Sequence, residues 1–407
     1  MNRLEKKKIE HPEKNYMKFY CDFLYYLGTG ECWYEERPPK SPTSDLLYKT
    51  WCFVSYAYII VGYVNEYIAF FFDITDLEFE TLLQYSVGHA FLILKIAALF
   101  LQRQKIKVFC KRFFENNREL SSDELNQQSA REAKTLCYIL YFTVYCCLAS
   151  GLLFAIVGNI KDGTPVRVII TAYPSSDASS FVYNILRILV EFHWYYCCAV
   201  MCPIDCISLC ALVFLSYKFK YLQFYFESLR DKYSKLADKK SREALEEEYE
   251  KDFITGIKLH QDVLWCARNV QTTLSPLYSI QIVEGIVLIC LSLMKMVTAG
   301  RNLANFWTNF TYMFAILTLT ASYMIPGGDV THEAAKLPLS IFYGGWDVVL
   351  ARQRLRTLIV VTIINSQVPV IMTAFGIIKL SYSNLIMVSV DDMLDYLFRD
   401  CIHRKIY

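Results

Sequence analysis

Apolar and polar positions along the chain fall into long blocks rather than a short alternation. Uninterrupted apolar runs predict membrane-spanning helices at Thr50–Phe72, Leu82–Phe100, Leu136–Ile160, Asn184–Leu215, Pro276–Val297 and Asn305–Ile325. Ahead of them the aromatic block Tyr16–Leu27 is too short to span and predicts an interfacial or re-entrant helix. Segment 217–275 instead repeats apolar residues at helical spacing, in Leu222, Tyr225, Phe226 and Leu229 and again in Phe253, Ile257, His260, Val263 and Leu264. It therefore predicts two helical extensions of the fourth and fifth spans, joined by the polar link LADKKSREALEEE. Beyond the sixth run, the apolar block Leu358–Ile378 is broken by Pro369 and Gly376, which predicts a turn or kink rather than one straight helix. A last helix is expected over Ser381–Phe398, long enough at about 1.5 Å per residue to cross most of a bilayer core. It carries Asp391, Asp392 and Asp395, and carboxylates at membrane depth point to a wet, cation-attracting path.

Basic residues orient these spans. The amino-terminal segment is rich in lysine and arginine, the first loop DITDLEFET has none, and the second carries Arg103, Lys105, Lys107, Lys111, Arg112, Arg118, Arg131 and Lys134. Segment 217–275 is basic again, whereas the third and fifth loops are nearly free of positive charge. Every second loop is positive, so the amino terminus is expected in the cytoplasm and, with seven spans, the carboxy terminus outside. That is the reverse of the arrangement in G-protein-coupled receptors. The fold class expected is all-α: a polytopic membrane protein of seven transmembrane helices with a helical cytoplasmic anchor domain.

Composition agrees with a membrane protein, at 54% apolar and 15% aromatic residues, and a net charge of +2 gives no reason to expect nucleic acid. The cysteines sit mostly inside apolar runs, as in Cys146, Cys147, Cys197, Cys198, Cys202, Cys206 and Cys210, and read as small buried hydrophobes. Neither a disulfide framework nor a metal site is expected. No HExxH, GxSxG or phosphate-cradling glycine loop is present, so no catalytic residues, cofactor or enzyme activity are expected. Ionisable residues within or at the ends of spans, Glu66, Lys95, Glu191, Asp205, Glu284 and Lys295, are functional candidates, with Lys95 and Lys295 expected to snorkel and Glu191 to pair with Arg187.

The terminal stretch carries a family resemblance. Ser340, Ile341, Tyr343 and Trp346, then Gln367 and Pro369 in NSQVPVIM, Thr373 and Ala374, Leu380 and Ser381, and Tyr396 with Leu397 together resemble the insect odorant receptors. The chain departs from that pattern at Phe375, where glycine is usual and Gly376 follows one place later, and at Leu394-Asp395-Tyr396, where a serine-tyrosine motif is usual.

The resemblance implies a division into a cytoplasmic amino-terminal segment with its re-entrant helix (1–48), spans one to four (49–217), cytoplasmic helical extensions (218–275) and spans five and six (276–326). A cytoplasmic anchor segment (327–379), and a pore-lining helix with an extracellular tail (380–407), complete the chain. It places the narrowest part of a pore near Asp392, Met393 and Leu394, with Asp391 and Asp395 on one face to concentrate cations. It also places a ligand pocket in the outer half of the bundle. The residues at that depth are Tyr85 and His89; Ser150, Gly151 and Phe154; His193, Trp194 and Tyr195; and Trp307, Phe310, Met313 and Phe314. Such an aromatic cage suits a small volatile organic ligand.

The function implied is a ligand-tuning subunit of a ligand-gated, non-selective cation channel. It would pair with an odorant receptor co-receptor as a heterotetramer, among membrane lipid in the plasma membrane of olfactory sensory neurons. Two other readings stay open: a gustatory-type receptor channel acting alone, and a secondary transporter, which buried ionisable groups would also suit. No pair of broken spans in matching halves marks an inverted repeat.

Overall fold

The computed structural model describes residues 12–35, 37, 41–115, 123–162, 166–174, 181–298, 303–349 and 352–387. In order these form α1 (Pro12–Tyr26), α2 (Pro42–Ala69), α3 (Asp76–Glu115), α4 (Asp123–Asp162), α5 (Phe181–Leu236), α6 (Arg242–Thr298), α7 (Leu303–Phe342), α8 (Gln353–Ser366) and a small antiparallel hairpin of β1 (Thr373–Ala374) and β2 (Ile378–Lys379). Among the described residues, the six helices α2 to α7 are long and apolar enough to cross a membrane. The chain is thus an all-helical, multi-pass membrane bundle apart from the hairpin. Of the last expected helix, Tyr382–Met387 is helical, and the remainder lies outside the described residues.

Local chemistry sets the helix ends. α1 stops in a Schellman arrangement, with Gly28 at φ 79° and the N–H groups of Thr29 and Gly28 donating to Leu24 O and Tyr25 O at 3.1 and 3.0 Å. Ser41 caps α2 by accepting from Ser44 N, and Pro42 takes the first helical position, where no N–H is needed. Thr75 and Glu78 form a reciprocal capping box at the start of α3, with Thr75 N donating to Glu78 Oε2 and Glu78 N to Thr75 Oγ1.

The helix α5 is the axis of the molecule. Every residue from Cys202 to Phe219 is buried, and Cys202, Cys206 and Cys210 recur every fourth position where neighbouring helices approach. Helix α1 lays Met17, Tyr20, Cys21 and Leu24 into the core against α5 and α4. Helix α7 makes the most extensive helix pairing among the described residues, with α5, and buries Val330, Ala334, Leu337 and Ile341, a stripe at helical spacing. Gln223 Nε2 donates to Glu333 O (2.7 Å) and Ser340 Oγ to Glu227 Oε1 (2.7 Å) across the same face.

The fourth and fifth spans do continue as helices beyond their apolar segments, but the polar link between them is shorter than the sequence suggests. Helix α6 begins at Arg242, inside the stretch LADKKSREALEEE, because Ala, Leu and Glu are good helix formers and Lys251 pairs with Glu247 one turn earlier. The two extensions pack on each other, with Phe226 and Phe253 rings 5.6 Å apart and Tyr233 and Tyr249 rings 5.0 Å apart. Tyr249 OH then donates to Gly344 O (3.0 Å), tying in the end of α7.

The apolar block after Arg356 is broken where Pro369 and Gly376 indicate. Helix α8 buries Leu355, Ile359, Thr362 and Ser366 and ends at Ser366. The chain then turns through Phe375 (φ 54°) and Gly376 (φ 71°), with Ile377 N donating to Ala374 O at 3.1 Å. Gln271 of α6 clamps this hairpin, accepting from Thr373 N (3.0 Å) and donating to Thr373 O (2.8 Å), while Phe375 N donates to Ser279 Oγ (2.8 Å). Leu380 then packs directly on Gly327 of α7, and Tyr382 OH donates to Asp329.

Candidate functional site

Five of the long helices leave a cavity of about 80 Å³ between them, in the apolar part of the bundle. Helix α3 contributes Tyr85, Gly88, His89 and Leu92, and α4 contributes Val144, Cys147 and Leu148. Helix α5 adds Trp194, Cys197, Cys198 and Met201, α6 adds Glu284 and Leu288, and α7 adds Tyr312, Ala315, Ile316 and Leu319.

Three aromatic rings frame it. Tyr85 meets Trp194 edge to face at 5.1 Å and Tyr312 at 5.7 Å, the arrangement that ring quadrupoles favour. Gly151 makes room for this: a Cβ there would lie 3.3 Å from both Trp194 Cη2 and Val168 Cγ1. The wall is otherwise aliphatic or thiol, with His89 and Glu284 as its ionisable groups.

Each of those two belongs to a buried polar network. His89 Nδ1 lies 2.7 Å from Glu66 Oε2, and His193 Nδ1 lies 3.9 Å from Glu66 Oε1, so one carboxylate of α2 faces two imidazoles. His193 Nε2 also sits 3.3 Å from Ile59 O, where Gly62 allows the ring to press against α2. In the second network the Lys95 ammonium is fully buried and lies 3.2 Å from Asp205 and 2.8 Å from Glu284. It also donates to Gln281 Oε1. Tyr323 OH donates to Asp205 Oδ1 at 2.5 Å. Lys95 therefore does not snorkel: the paired carboxylates hold it inward. Glu191 accepts from Val168 N at 2.9 Å, fastening the loop after α4 to α5. Among the described residues no cluster of histidine, cysteine and carboxylate side chains has a metal-binding arrangement.

Of the residues expected at a ligand pocket, Tyr85, His89 and Trp194 line this cavity. His193 stands behind it, bordering a second cleft of about 170 Å³ between α2 and the start of α5. Ser150 is bonded to Thr311 (3.0 Å), Gly151 backs Trp194, and Tyr195 packs on Trp194 at 5.9 Å. Phe154 is half-buried outside the lining, and Met313 packs in an apolar cluster with Leu288, Ile289, Leu293 and Ile316, touching the cavity only through Leu288 and Ile316. Trp307, Phe310 and Phe314 lie on the exposed face of α7. The cavity uses the opposite face, Tyr312, Ala315, Ile316 and Leu319, whose spacing of three, four and seven is the sequence signal for it. Asp391, Asp392, Met393, Leu394 and Asp395 lie outside the described residues.

The architecture matches solved structures closely. The insect olfactory receptor OR5 from Machilis hrabei superposes with a TM-score of 0.74 at 12% identity, covering 94% of this chain and 97% of that one. The same receptor in complex with eugenol gives 0.73 at 12% identity, with the same coverage. No curated protein matches the chain. The family model described as 7tm Odorant receptor matches residues 77–388.

Proposed function

The chain belongs to the 7tm Odorant receptor family, and from that premise we propose that it is the ligand-tuning subunit of a ligand-gated, non-selective cation channel. The family is one of receptors rather than enzymes. The observation that carries the reading is the small aromatic cavity held between α3, α4, α5, α6 and α7, a site that would enclose a small, volatile, largely apolar ligand. A ligand there touches five helices at once, so it can shift their packing if it binds one arrangement more tightly than another.

In this proposal the amino terminus is cytoplasmic, the cavity lies in the outer half of the bundle, and the ends of α5, α6 and α7 with α8 form the anchor. The last helix, carrying Asp391, Asp392, Met393, Leu394 and Asp395, lines a pore as the seventh span and ends outside the cell. The partner is an odorant receptor co-receptor in a heterotetramer in the plasma membrane of olfactory sensory neurons. Four identical copies of a helix with three carboxylates would crowd like charge around one axis, which favours a mixed assembly.

The test is two-electrode recording from cells expressing the chain alone, or with a co-receptor, during application of a panel of volatiles. Ligand-evoked cation current only on co-expression supports the proposal. Current from the chain alone would instead make it a self-sufficient, gustatory-type channel. The buried Lys95, Asp205 and Glu284 cluster favours a transporter as the second reading, which would show saturable flux without channel openings.

A further inference from the structure

Glu284 is the least satisfied member of the buried charge cluster, and it is the member that reaches the cavity. Asp205 is held from two sides, by Tyr323 OH at 2.5 Å and by Lys95 at 3.2 Å. The aligned hydrogen bonds of Lys95 go to Asp205 and Gln281. Its nitrogen also lies 2.8 Å from Glu284 Oε2, an ion pair without an aligned hydrogen bond, so Lys95 is the single partner of that oxygen named in the cluster. Glu284 is only 3% exposed, and it stands in the cavity wall.

The count of charges points the same way. Two carboxylates share one ammonium in this cluster, and the neighbouring Glu66 faces His89 and His193. The cluster in the cavity wall therefore holds one cation too few for its carboxylates. An uncompensated negative charge in an apolar bundle is costly. A ligand that brought a cation would repair it, whereas an ester or aldehyde would present lone pairs to lone pairs.

Resting on the reading of the cavity as the ligand site, we infer that Glu284 is a specificity-determining residue that receives the ammonium group of a small aliphatic amine. The body of the ligand lies against Tyr85, Trp194 and Tyr312. A cavity of about 150 Å³ holds benzene, so one of 80 Å³ suits a ligand of about three to five heavy atoms.

Three probes of equal size separate the chemistry: n-butylamine, a cation; 1-butanol, a neutral donor; and diethyl ether, an acceptor only. Each is titrated, at fixed pH, against the thermal unfolding midpoint of the purified full chain in detergent, since a ligand of the folded state raises that midpoint. The expected order of half-saturating concentration is amine lowest, then alcohol, then ether. In Glu284→Gln the amine titration moves at least tenfold to higher concentration while that of 1-butanol stays within threefold. Glu284→Asp keeps the charge but withdraws it from the cavity, and serves if the glutamine variant does not purify; the same selective loss is expected. Equal response to amine and ether in the wild type, or an equal loss for all probes in the variants, overturns the assignment to Glu284 while leaving the cavity as a ligand site. A midpoint that no probe moves overturns both the assignment and the cavity reading.

Discussion

Replacing Lys95 by methionine tests the charge cluster directly. Methionine keeps an unbranched apolar stem of similar length, so packing is nearly preserved and the change is chiefly electrostatic. What is lost are the contacts to Asp205 (3.2 Å), Glu284 (2.8 Å) and Gln281, all made by a side chain with 0% exposure. Asp205 would retain Tyr323 OH; Glu284 would retain no cationic partner in its cluster. Removing one partner of a buried pair costs about 3–5 kcal/mol, a large share of a typical total stability of about 5–15 kcal/mol. Denaturant unfolding of the purified chain in detergent measures this, with surface yield as a second readout. Neutralising the remaining acids in Lys95→Met/Asp205→Asn/Glu284→Gln should recover most of the loss, because a buried ion cluster replaced as a whole costs little. A single variant within about 1 kcal/mol of wild type would refute the pairing, judged against that expected cost. A triple variant as unstable as the single would show that packing, not charge, is what Lys95 supplies.

Three further outcomes are expected. Burial holds His260, beyond the apolar part of α6, down at about 4 from its ordinary 6.5; its neutral form therefore supports folding fully above pH 6.5, and that support is lost as pH falls towards 4. At pH 5 the loss is about 2 kcal/mol, and His260→Gln should flatten that part of the stability profile between pH 7 and 5. Gly327→Ala places a Cβ against Leu380 Cβ and should cost about 1–3 kcal/mol in unfolding free energy, read from denaturant unfolding of the purified chain. Phe375 holds a left-handed backbone (φ 54°) with its ring half exposed, so Phe375→Gly should raise stability by about 1 kcal/mol in the same assay.

The spans were legible because an apolar run of bilayer length fits a membrane crossing and little else, and the ionisable residues inside such runs stood out for the same reason. Which of those residues meet was not legible. Lys95 is 110 positions from Asp205 and 186 from Gln281, on three different helices with Glu284 one turn beyond Gln281, and nothing in their local sequence names a partner. The facing of α7 was hidden by a different cause. In a soluble helix the apolar side is the inner one, but lipid is as apolar as a core, so Trp307, Phe310 and Phe314 mark the outer face as readily as the inner. The cavity uses Tyr312, Ala315, Ile316 and Leu319 instead, a face no more apolar than the outer one and so not distinguished from it by hydropathy. The hairpin after Met372 was visible only as an interruption, since Pro369 and Gly376 announce a break but not the strand pairing between Thr373–Ala374 and Ile378–Lys379.

Helix α5 runs on through Pro203 without ending, and its length makes the molecule a mechanical lever. Its 56 residues include Trp194 near one end and Leu236 at the other. At about 1.5 Å per residue these two stand roughly 60 Å apart along a single helix. A tilt of about 3° pivoted at Trp194 would carry Leu236 through about 3 Å, given that length. An adjustment at the cavity too small to see locally is thereby magnified at the far end, so spectroscopic distance labels near Leu236 would register ligand seating that a label beside Trp194 would miss.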